Sequence, residues 1–154
     1  MTVLIQVKTE PLDIALLLKQ ASLSEHDFGA QVTFTGWVRQ HDHATPITHL
    51  HLEHYPEVTE AEIARIVKTC LDKWPVSDVV VVHRVGKIAV GEPIVFVLTQ
   101  AGHRGAAYAA NEYLMDYLKT TAPFWKQECF ADGSADWVAA KRSDVAKQHR
   151  WSEA

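Results

Sequence analysis

The chain has 154 residues and a formal charge of −4, with 47% hydrophobic and 22% charged residues, the balance of a single globular domain rather than of a collagenous, disordered or membrane-embedded chain. An acidic balance argues against a surface that coats nucleic acid, which needs a basic footprint, so any anionic partner is expected to be small and locally bound. No stretch approaches the roughly 18 apolar residues of a bilayer span, and Lys8, Glu10 and Asp13 interrupt the N-terminal apolar run before it reaches signal-peptide length; the expected compartment is the cytoplasm.

Residues 2–8 predict a strand, and Pro11 suits the first turn of a helix reaching about Ala21. Ala30 to Arg39 mixes β-branched and aromatic residues in near alternation and predicts a strand, with Gly36 marking a bulge or a close backbone approach. After a polar connection over 40–46 comes a second strand, Ile47 to His54, with Leu50 and Leu52 on one face and His49, His51 and Glu53 on the other. Thr59 and Glu62 match a capping box that opens a helix over 59–74. Its apolar stripe of Ile63, Ile66, Val67, Cys70, Leu71 and Trp74 stops at Pro75. Cys70 lies on that stripe and reads as a packed core thiol, not a nucleophile. Cys70 and Cys129 are too far apart in sequence for a C-x-x-C pair, so neither a disulfide framework nor a cysteine-rich zinc site is indicated.

Two further strands, Asp78 to Val85 and Pro93 to Gln100, are expected to be antiparallel because residues 86–92 are too few for a crossover helix. The valine run 79–82 reads as buried on both faces, inside a sheet or at a subunit contact. Ala101-Gly102-His103-Arg104-Gly105 then leads into an alanine-rich helix ending at Lys119. A helix N-terminus favours an anion, and His103 with Arg104 beside it makes a phosphate clasp; the plainer alternative pairs Arg104 with Glu112 or Asp116. Tyr108, Tyr113 and Tyr117 read as packing groups.

The segment from Tyr117 to Lys126 forces a helix to stop, because Pro123 lacks the N–H donor and biases Ala122 toward extended geometry. If the chain folds back there, Lys119 and Lys126 point into one pocket, and each ammonium lowers the cost of deprotonating the other. The alternative is that both lysines merely snorkel over an apolar rim. Histidines at 41, 43, 49, 51 and 54 raise a metal-site alternative, without the H-E-x-x-H pattern that would strengthen it. The C-terminal segment from Trp137 through Lys141 and Arg142 to Trp151 reads either as a final helix that carries Arg142 toward this site or that of a neighbouring subunit, or, from about residue 143, as a flexible tail.

Taken in order, Val32-Thr33-Phe34-Thr35-Gly36-x-Val38-Arg39, Leu52-Glu53-His54-Tyr55-Pro56, His83-Arg84-Val85-Gly86, His103-Arg104 and Met115-Asp116-Tyr117-Leu118-Lys119-x-x-Ala122-Pro123-Phe124-Trp125-Lys126 resemble the large, catalytic subunit of molybdopterin synthase over about residues 30–142. The resemblance implies an α+β fold, an α/β-hammerhead-like single domain with an additional antiparallel sheet. It implies a sulfurtransferase that converts cyclic pyranopterin monophosphate to molybdopterin in molybdenum cofactor biosynthesis. The sulfur comes from the C-terminal Gly-Gly thiocarboxylate of a small ubiquitin-like subunit, with no cofactor besides; the assembly is a homodimer within a heterotetramer. Lys119 and Lys126 are the implied catalytic residues. Trp37, Val38, Arg39, His103, Arg104, Gln127 and Glu128 join them as substrate contacts, Phe34, Met115 and Pro123 shape the channel for the partner's tail, and Arg142 is an additional cation. Trp37 and Gly102 depart from the family pattern at the pocket's lip. Two other classes compete: a histidine-based metallohydrolase, and a non-catalytic module that binds a pterin or nucleotide.

Overall fold

The β-branched segments form the larger of two four-stranded sheets, with helices on both of its faces. The computed structural model describes residues 2–21, 27–40, 44–138 and 142–152. Its elements run β1 (Thr2–Lys8), α1 (Ile14–Ala21), β2 (Ala30–Trp37), β3 (Ile47–His54), α2 (Val58–Lys73), β4 (Val76–Arg84), β5 (Gly86–Ala89), β6 (Pro93–Ala101), α3 (Arg104–Leu118), β7 (Phe124–Phe130), β8 (Ala135–Val138) and α4 (Arg142–Ser152). The first sheet has the order β1-β4-β6-β2 and the second β5-β3-β7-β8. Only β1 and β4 pair in parallel; β4 with β6 and β6 with β2 are antiparallel, as is every pairing in the second sheet.

The valine run organises the core. Val79 and Val81 face α2 and α3, packing with Ile63, Ile66, Val67, Cys70, Ala110 and Leu114, while Val80 and Val82 face α1 with Leu12, Leu17, Phe96 and Leu98. Each such fully buried side chain contributes roughly 1.5–3 kcal/mol. A third cluster of Val38, Ile47, Leu50, Leu52, Val85 and Ile88 lies against the second sheet, and Phe124 touches both it and the first cluster. Phe124 is thus the seam between the two sheets.

Several boundaries differ from the sequence reading for physical reasons. Helix α1 begins at Ile14, not Pro11, because Asp13 Oδ1 accepts the Leu16 N–H at 3.0 Å and caps it there. The capping box at Thr59 does not form. Helix α2 already starts at Val58, after Glu57 turns at φ +70°, and the Thr59 hydroxyl donates to the Tyr55 carbonyl at 2.8 Å while Glu62 pairs with Arg65. Residues 86–92 hold a strand: the chain leaves β4 through Gly86, at φ +83°, and β5 pairs with β3 in the other sheet. Strands β7 and β8 were not expected, and Trp137 belongs to β8 instead of the final helix. The segment expected to be a loose tail from about 143 forms most of α4, held by Trp151 against Trp74 and Tyr113 at 5.4 and 5.6 Å between ring centroids. The bulge expected at Gly36 is present between Gly36 and Trp37, and a Cβ at Gly36 would meet Val95 Cγ1 at 2.9 Å.

Helix α3 lies along β2 and β6. Ala107 and Ala110 are fully buried and let the backbones approach, the Thr99 hydroxyl donates to Ala107 O at 2.7 Å, and Asn111 Nδ2 donates to Val32 O and Val97 O, each at 3.1 Å. Asn111→Ala removes two buried hydrogen bonds at once and is expected to lower unfolding free energy by about 1–3 kcal/mol in urea titration; a loss under about 0.5 kcal/mol contradicts the clamp.

Candidate functional site

Helix α3 carries a group of candidate residues at each end. At its start, His103 sits in extended backbone (φ −136°, ψ 153°) as the N-cap with no side-chain cap bond, and Arg104 is the first helical residue; both side chains are exposed. The first-turn N–H groups thus stay available to an anion. The alternative pairing of Arg104 is overturned: Arg150 of α4 takes both Glu112, at 2.7 Å, and Asp116, at 3.0 Å.

At the other end Lys119 is the C-cap, with its N–H on Met115 O at 3.1 Å. The forced stop follows: Thr121 N–H donates to Tyr117 O at 2.8 Å, and Phe124 N–H to Ala122 O at 2.8 Å as β7 begins. Lys119 lines a cleft of about 450 Å³ between α3, β2 and α4, together with Val32, Phe34, Met115, Asp144 and Lys147. Of the three residues expected to shape the partner's channel, Phe34 and Met115 line it and Pro123 does not. Within the cleft Lys119 has a carboxylate beside it, Asp144 Oδ2 at 4.0 Å from Nζ.

Lys126 belongs to the second sheet, paired with Leu52 on β3 and Val138 on β8. Cross-strand partners share a face, so Lys126 and Glu128 project with Leu52 and Leu50 on the inner side. Gln127 projects the other way with His51 and Trp137, so the expected run of contacts from Lys126 to Glu128 divides between two faces. Near the end of β2, Trp37 is 53% exposed and Arg39 is exposed. Val38, expected as a substrate contact, is buried, its N–H donates to Glu92 O at 3.0 Å, and its carbonyl accepts the Gly91 N–H at 3.0 Å. The side chain of Arg142 lies outside the described residues.

The two cationic groups are far apart within one chain. Fifteen residues of helical rise separate Arg104 from Lys119 by about 22 Å. Strand register gives the same result, because Ala30 pairs with Ala101 beside His103, whereas Trp37 pairs with Pro93 at the other end of β6, roughly 26 Å away. Arg39 therefore shares an end with Lys119 and not with His103 and Arg104.

The matching family model is described as MoaE protein and covers residues 7–121. The chain belongs to the MoaE family. Among relatives of this MoaE chain are the molybdopterin synthase catalytic subunits of Brucella melitensis, 44% identical over 97% of this chain and 91% of that one, and of Escherichia coli, 46% identical over 84% and 86%. A solved molybdopterin biosynthesis MoaE protein from Burkholderia ambifaria superposes with a TM-score of 0.82 at 39% identity, covering 99% of both chains. No helix among the described residues is long and apolar enough to cross a membrane.

Other polar groups of this MoaE chain fall into place around the seam. Cys70 is fully buried with its thiol pushed up to about 12 by that burial, as a core thiol should be, and Sγ donates weakly to Ala110 O at 3.8 Å. His49 and His51 lie on the outer face of the second sheet and His54 on the inner, while His41 and His43 lie outside the described residues. Among the described residues no three His, Cys, Asp or Glu side chains converge as metal ligands do.

His83 had no assigned role, though the motif containing it was visible in the sequence. It is buried, donates from Nδ1 to Arg84 O at 2.8 Å, and stacks on Phe124 with ring centroids 4.0 Å apart and planes at 18°. Burial holds its pKa down to about 4, with the nearby His54 adding to the effect and the bond to Arg84 O opposing it. Above about pH 6.5 the ring is neutral in both folded and unfolded chains. Between about 6.5 and about 4 the unfolded chain takes up a proton that the folded one refuses, so stability falls with pH, by about 3 kcal/mol in all. Urea midpoints between pH 7 and pH 4.5 should show this decline, and His83→Phe, which keeps a ring against Phe124, should flatten it. An unchanged slope in that variant assigns the decline elsewhere.

Proposed function

We propose that this chain is the catalytic subunit of a molybdopterin synthase, a sulfurtransferase that receives sulfur on a small partner subunit and adds it to cyclic pyranopterin monophosphate. Lys119 carries the reading. It lines, with Asp144 and Lys147, a cleft whose apolar wall is Val32, Phe34 and Met115, a wall suited to the small, extended Gly-Gly terminus of a ubiquitin-like partner. A thiocarboxylate delivered there forms a C–S bond through its sulfur as a C–O bond of the substrate breaks, the oxygen leaving on the phosphate or as water, and hydrolysis of the resulting thioester releases the partner as a carboxylate and leaves the sulfur behind. Two rounds produce the dithiolene. The sulfur arrives on the partner, so the chemistry needs no cysteine from this chain and no cofactor, in keeping with Cys70 as a core thiol.

Roles follow from charge and position. Lys119 moves a proton as the thiocarboxylate attacks, and Lys126, inside the second sheet, stabilises developing negative charge. His103 and Arg104 at the open helix N-terminus hold the cyclic phosphate, and Arg39 with Trp37 orients the pterin. Glu128, on the face of Lys126, is a substrate contact beside it; Gln127, on the opposite face, is the weaker candidate. A single small substrate does not span the roughly 22 Å between Arg104 and Lys119 of one chain. The complete site therefore takes Arg39, Lys119 and Lys126 from one copy and His103 and Arg104 from a second, which makes a homodimer, with one small subunit on each copy, the working assembly. The cytoplasm suits this chemistry, and the free thiols of Cys70 and Cys129 fit a reducing compartment.

A single-turnover reaction of this protein with a thiocarboxylated small subunit and cyclic pyranopterin monophosphate tests the reading. The wild type should form dithiolene. Lys119→Ala should bind both reactants and lose on the order of 10²–10⁴-fold in rate, as removal of a general acid–base group does. Arg104→Ala should weaken substrate binding about tenfold or more. Undiminished turnover in Lys119→Ala sinks the assigned roles, and a wild type that binds its partner yet forms no product is a non-catalytic binding module.

A further inference from the structure

The motif His83-Arg84-Val85-Gly86 takes part in no step above, yet its two leading residues are 8% and 7% exposed, among the polar residues buried by the fold. As neighbours on β4 they leave it in opposite directions: His83 goes to the seam at Phe124, Arg84 to the far side. There the guanidinium collects three segments. Nε donates to Thr9 O after β1 at 3.2 Å, Nη2 donates to Lys87 O on β5 at 3.4 Å, and Nη1 pairs with the Glu92 carboxylate just before β6.

The segment thus held is the one that holds the end of β2. Glu92 O accepts the Val38 N–H and Gly91 N–H donates to Val38 O, both at 3.0 Å, and Val38 itself is anchored in the cluster with Leu50, Val85 and Ile88. Arg39 is the next residue. We infer that Arg84 is a positioning residue for Arg39, acting through Glu92 and Val38 without touching substrate. The Arg84 side chain is 9% exposed but that of Glu92 is 39% exposed, and an ion pair open to solvent on one side is a weak source of stability. A planar fork that fixes three backbone segments is better matched to setting geometry. The inference rests on the reading of Arg39 as a substrate-binding cation.

Steady-state kinetics of the full complex, with thiocarboxylated partner, test it in a double-mutant cycle. Arg84→Lys keeps the charge and loses the fork, so it is expected to raise KM for the pterin phosphate by about tenfold with kcat changed less than about threefold, the pattern of lost binding. In an Arg39→Ala background the same change should have an effect below about twofold, because the residue it positions is gone. Glu92→Gln, which retains the backbone carbonyl that holds Val38, should show the same split with a smaller KM effect, and it carries the cycle should Arg84→Lys fail to fold. Effects of Arg84→Lys and Arg39→Ala that multiply, or a lowered melting temperature in Arg84→Lys with wild-type KM, overturn the positioning role. Wild-type KM in Arg39→Ala alone overturns the underlying reading of Arg39, and the positioning role with it.

Discussion

The clamp of α3 onto β2 and β6 is the constraint on which the rest depends. Two buried alanines let helix and sheet approach, the Thr99 hydroxyl of β6 donates to a helix carbonyl, and Asn111 of the helix donates to carbonyls of β2 and β6. A helix clamped in this way is a ruler. Its N-terminus opens at His103 and Arg104, its C-terminus delivers Lys119 to the cleft beside Phe34, and the distance between them is set by helical rise. A fold that holds His103 and Arg104 this far from Lys119 is the reason the proposed site draws its phosphate-binding half from a second copy in a symmetric pair.

Around that helix the charges are sorted by element. The carboxylates of α3 that face α4, Glu112 and Asp116, are occupied by Arg150, with Trp151 Nε1 also donating to Asp116 at 2.7 Å, while Asp144 faces Lys119. Arg104 opens this same helix at its far end with His103 just before it, while Arg39 follows β2 and Lys126 lies on β7. The second sheet is joined to the first at Phe124, between His83 at 4.0 Å and His54 at 6.4 Å. The seam and the proposed catalytic Lys126 therefore meet in β7, where Phe124 and Lys126 are two residues apart on one face.

Much of this was legible in the sequence, and the exceptions have physical causes. Sheet strands rich in Val and Ile, the apolar stripe of α2 and the stop at Pro123 are local signals, and they were read with errors of a few residues. Strand β7 was missed because Lys126-Gln127-Glu128 are polar on both faces; only pairing with β3 and β8, remote in sequence, makes that stretch a strand. Strand β5 has four residues, too few for a pattern. The false capping box at Thr59 shows the opposite failure, a correct motif displaced when Glu57 turned the chain early. The candidate cations were named by type and order, and the helix length adds that Arg104 and Lys119 are fifteen positions apart on a single rod. Arg84 was quoted within a motif and left without a task because its three acceptors are backbone carbonyls and a glutamate scattered over residues 9–92, a set visible only once folded.

The division of the site between two copies is the central claim, and complementation tests it most directly. Lys119→Ala and Arg104→Ala chains, each impaired alone, are mixed in equal amounts, unfolded and refolded together, and assayed with thiocarboxylated partner. Random pairing makes half the dimers mixed, and each mixed dimer has one site with both groups intact, so activity should rise to about a quarter of wild type. Activity of the mixture no higher than the mean of the two variants alone, with mixed dimers shown to form, would mean that each site is built from a single chain.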